Sequence, residues 1–180
     1  MVQGQKSSFS TIGSVVVGEP FVILATDDQT KSAEFMQYAV SIANRLQKHG
    51  WYEVATESQA KYAVLLDFGI SGSSQKITSM PTYGTTSTTV YPSYGGSAFS
   101  LSTYGFTGNE TYSTTVHARY FEMKIFDIKN LIPVYETKVS SEGESATFGQ
   151  VSECLFDIGL SDFPKATSQF VTVNMHQCGS

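Results

Sequence analysis

Adjacent carboxylates at a strand-to-helix junction are a common place for general acids, bases and metal ligands, and Asp27-Asp28 stands at one. The competing account is electrostatic, because acidic groups ahead of a helix favour its positive N-terminus; the sequence favours that account. Asp67 lies inside an apolar run, on the face opposite Tyr62 and Leu66. That spacing suits a solvent-facing or strand-edge position better than a buried carboxyl with a raised pKa. The three histidines, His49, His117 and His176, share no zinc-ligand spacing with one another, and only His176 and Cys178 come close, in the tail 176–180. Cys154 falls on an apolar helical face and reads as a buried, inert thiol, with a bond to Cys178 as the alternative. The many serines form neither a G-x-S-x-G elbow nor an S-x-x-K pattern, and Gly95-Gly96 lacks the lysine of a phosphate loop. No catalytic set emerges. The expectation is a non-enzymatic domain with neither metal nor cofactor.

A different chemistry is concentrated between Ser71 and Thr115. Nearly half of this stretch is Ser or Thr, and its only formal charges are Lys76 and Glu110. Its aromatic residues are Tyr83, Tyr91, Tyr94, Phe99, Tyr104, Phe106 and Tyr112. Tyrosine offers half-polar contact area with few rotatable bonds, so these seven form a candidate partner-contact surface. Stacking on sugar rings is the alternative use. The density of Thr, Tyr and Val near 85–94 favours strands, so the segment reads as a long hairpin or as a loop.

The elements around this insertion are conventional. Phe21–Ala25 is a continuous apolar strand. Thr30 is the expected N-cap of a helix whose Phe35, Ala39, Ile42, Ala43 and Leu46 share one face and which Gly50 ends. Residues 51–54 form a short connector or strand. From Lys61 to Ile70 apolar residues alternate with period two. Val116–Ile128 and Leu131–Ser140 read as hairpin partners, with Pro133 at an edge or bulge. A second helix starts at Thr147 with Gln150 as its capping-box partner, presents Phe148, Val151, Leu155 and Ile158, and closes at Gly159. Phe170–Met175 is the last strand. The order β-α-β-β-β-α-β predicts an α+β two-layer sandwich, a mostly antiparallel sheet with two helices on one face. Residues 1–14 are expected to be a flexible segment, 15–175 a single domain with 71–115 inserted, and 176–180 a tail.

With 180 residues, net charge −5 and no Lys/Arg cluster, a nucleic-acid partner is disfavoured. No run approaches the ~18 apolar residues of a spanning helix, and the polar N-terminus lacks the apolar core of a signal peptide. Several pieces of the chain resemble the DUF4136 family of uncharacterised bacterial envelope lipoproteins. They are His49-Gly50-Trp51, Ala60–Leu66, Pro81–Gly84, Ile125–Asp127, Val134–Thr137 with Ser140–Gly143, and Asp162-Phe163-Pro164. The resemblance implies a lipid-anchored protein of the cell envelope or periplasm, whose leader and anchoring cysteine are absent from this sequence, working by contact with an envelope protein. It implies no catalytic residue. A glycan or peptidoglycan module and a self-assembling structural protein are the rival readings.

Overall fold

A computed structural model describes residues 1–13, 17–90 and 99–179. The chain is a mixed α/β protein with two α-helices and a seven-stranded, mostly antiparallel sheet. The strands are β1 (Val2–Ser10), β2 (Pro20–Leu24), β3 (Tyr52–Glu53), β4 (Tyr62–Val90), β5 (Phe99–Asp127), β6 (Ile132–Gly143) and β7 (Ser168–Val173). The helices are α1 (Ala33–Lys48) and α2 (Ser152–Leu160). Across the sheet the order is β3-β2-β4-β5-β6-β1-β7, with β2 parallel to both β3 and β4. Two compact units result: residues 1–74 with 116–180, and residues 75–115.

The first unit holds the core. Tyr62, Val64 and Leu66 of β4 and Phe121, Met123 and Ile125 of β5 alternate inward, as period two requires. Phe35, Tyr38, Ile42 and Leu46 of α1 and Leu155, Phe156 and Ile158 of α2 complete the same cluster. α1 ends as its sequence predicts, with Gly50 at φ 87°, a left-handed conformation that glycine adopts without strain. Its N-cap is Ser32 and not Thr30: the Ser32 hydroxyl accepts from the Phe35 amide at 3.1 Å, while Thr30 sits in a preceding 3-10 turn. Pro133 does mark an irregularity, since the β5–β6 register shifts beside it at Ile125/Phe126.

Three expectations are corrected. Residues 2–10 are not a flexible segment; they form β1, hydrogen-bonded to β6 on one side and β7 on the other. Its inward residues are Val2, Gly4, Lys6 and Ser8, so the apolar alternation that signals a strand is absent although the strand is present. α2 starts at Ser152, not Thr147, and Gln150 accepts from Ser145 Oγ at 2.6 Å in the turn that precedes it. Gly159 lies within α2 instead of closing it. A Cβ there would meet the Phe121 ring at 2.9 Å, so glycine is what lets helix and sheet approach.

Cys154 is likewise not a free thiol. It is disulfide-bonded to Cys178, tying α2 to the residues after β7. Nearby, Arg45 of α1 reaches Glu153 at 2.8 Å and Asp157 at 2.7 Å, joining the two helices across their polar sides.

The second unit is the β4–β5 ribbon over residues 75–115. Side-chain bonds between Gln75 and Ser113, whose hydroxyl donates, and between Ser87 and Ser102, with Thr82 Oγ1 donating to the Gly108 carbonyl at 2.9 Å, descend along β5 as they rise along β4. The pair is therefore antiparallel. No described residue of this ribbon is buried.

Candidate contact surface

Besides the Arg45 network, two places among the described residues bring polar chemistry together in the first unit. On β1, the Lys6 ammonium is fully buried and donates to Ser161 Oγ at 3.1 Å and to Asp162 Oδ2 at 3.4 Å. Burial lowers the Lys6 pKa, and Asp162 opposes that shift. Asp162 also accepts from Thr167 Oγ1 at 3.1 Å and Gln169 Nε2 at 2.9 Å; against its own desolvation, Thr167, Lys6 and Ser161 hold its carboxyl below the usual range. A serine beside a lysine resembles a nucleophile and its base. Here the amine donates to the serine, and the serine hydroxyl donates to the Ile158 carbonyl at 3.0 Å. A base must accept the serine proton. Ser161 Oγ also lies 3.2 Å from Asp162 Oδ2 as a donor, and the cluster as a whole pins β1 to the segment after α2.

The second place is a half-open groove of about 640 Å³ on the outer sheet face, bordered by Gln3, Gln5, Asp67, Tyr120, Lys138 and Phe170. Asp67 faces solvent there, as its spacing predicted, and accepts from Tyr120 Oη at 3.3 Å. Burial, then Asp67, pushes the Tyr120 hydroxyl up. Asp27 and Asp28 are exposed in the turn before α1. His49 packs on the Phe163 ring, 5.3 Å between centroids, and burial lowers its pKa. Among the described residues no three His, Cys, Asp or Glu side chains are grouped to hold a metal ion.

The aromatic set on the ribbon is partly assembled. Tyr83 of β4 and Phe106 of β5 meet edge to face at 6.2 Å, and both are about three-fifths exposed, at 60% and 61%. Tyr104, two residues from Phe106 on one strand and therefore on the same face, is 75% exposed. Tyr112, half exposed, donates its hydroxyl to the Glu110 carboxylate, which raises its pKa. Tyr91 and Tyr94 lie outside the described residues, as does the side chain of Phe99. At roughly 200 Å² per aromatic side chain, Tyr83, Tyr104 and Phe106 expose about 400 Å². That is the size of the largest apolar patch on a typical monomer, where it often serves function.

No family model matches the sequence, and no curated protein matches it either. Among solved structures the chain is similar to a point-variant PelC dodecamer of Paraburkholderia phytofirmans, at 11% identity over 88% of this chain and 95% of that one, with a TM-score of 0.44. A second PelC dodecamer from the same organism gives 14%, 88%, 96% and 0.45. A PDZ domain protein from Parabacteroides distasonis gives 12% identity over 94% of this chain, which spans 39% of that protein, with a TM-score of 0.48.

Proposed function

We propose that this is a non-enzymatic domain of the bacterial cell envelope that works by protein–protein contact through the ribbon of residues 75–115. The observation that carries the reading is the cluster of Tyr83, Tyr104 and Phe106, exposed on a two-stranded segment with no buried residue of its own among those described. A surface of that kind contributes nothing to the core of the first unit and is free to be covered by something else. The envelope setting is supported by the resemblance to DUF4136 lipoproteins and by the Cys154–Cys178 disulfide, since such bonds persist in oxidising compartments. We read the first unit as a two-layer α+β sandwich, with both helices on one sheet face. Phe156 and Gly159 of α2 against Phe121, and Phe35 and Tyr38 of α1 against Phe68, support that arrangement.

The test replaces residues 75–115 with a short Gly-Ser turn and compares in-cell crosslinking of the two proteins. The expected result is an unchanged near- and far-UV CD signature for the first unit and loss of every specific crosslinked product. Products that survive the deletion would refute the ribbon's role. Intact-mass measurement of the mature protein, after cell fractionation, tests the envelope assignment: a diacylglyceryl-cysteine on a membrane-bound form is expected.

A further inference from the structure

Residues 75–115 contain one cation, Lys76, and one anion, Glu110. The whole surplus of −5 therefore resides in the first unit, and the ribbon is neutral. Two copies of a net-acidic protein repel one another, but not through a surface of this kind. The ribbon also lacks strand neighbours. β2 pairs with β4 only at Tyr62–Leu65, and β6 pairs with β5 only at His117–Asp127. Over 75–115 the outer edges of both strands are unpaired among the described residues. Natural sheets guard such edges with lysine, proline or bulges. The two edges differ in this respect: β4 carries Lys76 and Pro81, which has no N–H to offer, whereas β5 has neither proline nor lysine from Phe99 to Thr115.

We infer that β5 of one copy pairs with β5 of a second copy, antiparallel across a two-fold axis, so that the two ribbons form one four-stranded sheet. The inference rests on the contact role proposed above and names the occupant of that surface. A two-fold contact needs a self-complementary edge, and an uncharged run of Ser, Thr, Gly and Tyr is one. Pairing also supplies the third and fourth strands that a two-stranded ribbon needs for independent stability. Tyr104 and Phe106 sit near the middle of the 99–115 stretch, so a centre of symmetry there sets the aromatic clusters of both copies together and keeps each Glu110 away from its counterpart. Lateral contact of Tyr104 and Phe106 with their counterparts covers part of each cluster, and with the hydrogen-bonded edges the contact falls in the class of small interfaces, below the ~1,200 Å² of standard ones. The edges left outside belong to β4, where Lys76 and Pro81 interrupt continuous pairing over the part nearer the first unit, so the pairing is expected to stop at two copies.

Sedimentation velocity of the full chain from about 1 µM to about 200 µM, a range bracketing the micromolar constants of small interfaces, is the test. A monomer–dimer equilibrium is expected, and Phe106→Lys and Phe106→Glu should each weaken it at least tenfold. Mixing those two variants should restore a dimer, because only a Phe106-to-Phe106 apposition turns repulsion into attraction. A wild-type chain that stays monomeric, dimerisation untouched by both substitutions, growth beyond two copies, or a mixture that stays apart would each overturn the inference. A monomeric chain whose crosslinks to another protein still require residues 75–115 would sink the self-pairing and leave the contact role standing.

Discussion

Replacing Asp162 by Asn removes one negative charge and almost no volume, and it isolates what holds β1 in place. The Lys6 side chain is fully buried and Asp162 is 33% exposed, so the substitution leaves an ammonium beneath the sheet with only uncharged acceptors, Ser161 Oγ and the amide oxygen at 162. Breaking a fully buried pair costs about 3–5 kcal/mol; with water reaching one side of Asp162, about 2–3 kcal/mol is expected here. Urea denaturation followed by far-UV CD measures it, as a fall in midpoint with no change in slope. The double variant Lys6→Met/Asp162→Asn removes both charges and should return to within about 1 kcal/mol of the wild type. The sign with pH follows from the lowered Asp162 pKa. Its stabilisation is present above the unfolded carboxyl value near 3.8 and is lost as pH falls through the lower folded value, a limb the Asn variant lacks. Lys6 gives the same sign at the alkaline end for a different reason: burial depresses its folded pKa, so stability rises as pH climbs from that value toward 10.5. A single variant costing under about 0.5 kcal/mol, or a double variant no better than the single, would refute the account.

Two further outcomes follow from the first unit. Reducing the Cys154–Cys178 bond, which closes a loop with a sequence separation of 24, should cost roughly 3.5 kcal/mol on the chain-entropy scale, measured as the difference in urea stability with and without reductant. Arg119 is 4% exposed, its Nε has no partner, its one bond is to Ser141 Oγ at 3.3 Å, and it makes no ion pair among the described residues. Arg119→Met should therefore leave the thermal midpoint unchanged or raise it, whereas a drop of several degrees would mean that the guanidinium is held by more than that bond.

Much of the first unit was legible because its periodicities are honest. Phe35, Ile42 and Leu46 repeat as a helix must, and Tyr62, Val64 and Leu66 as a strand must. Reading stopped where polar residues do apolar work. β1 turns Lys6 and Ser8 inward, and their acceptors, Asp162 and the Thr167 carbonyl, lie 156 and 159 residues away. A local pattern cannot contain such information. The same holds for Gly159, whose local meaning is a helix end and whose tertiary meaning is clearance for Phe121. Thr30 and Ser32 are both good caps, and only the backbone decides between them. The aromatic surface was visible as composition, but the meeting of Tyr83 with Phe106 depends on cross-strand register, which no stretch of Ser and Thr specifies.

The position of β1 has a consequence for how the chain becomes a protein. Residues 2–10 are flanked by residues 132–143 and 168–173, with Val2 opposite Val173. β1, the first of these strands along the chain, therefore has no strand neighbour until residues 132–173 have been made. β2, α1 and β4 can collapse locally as they appear, while β6, β1 and β7 must close together later, across the longest sequence separations among the described strand pairs. Such pairings are slow, since the entropy of closure is met before any contact rewards it. Until that late closure, residues 2–10 present both of their edges without a strand partner.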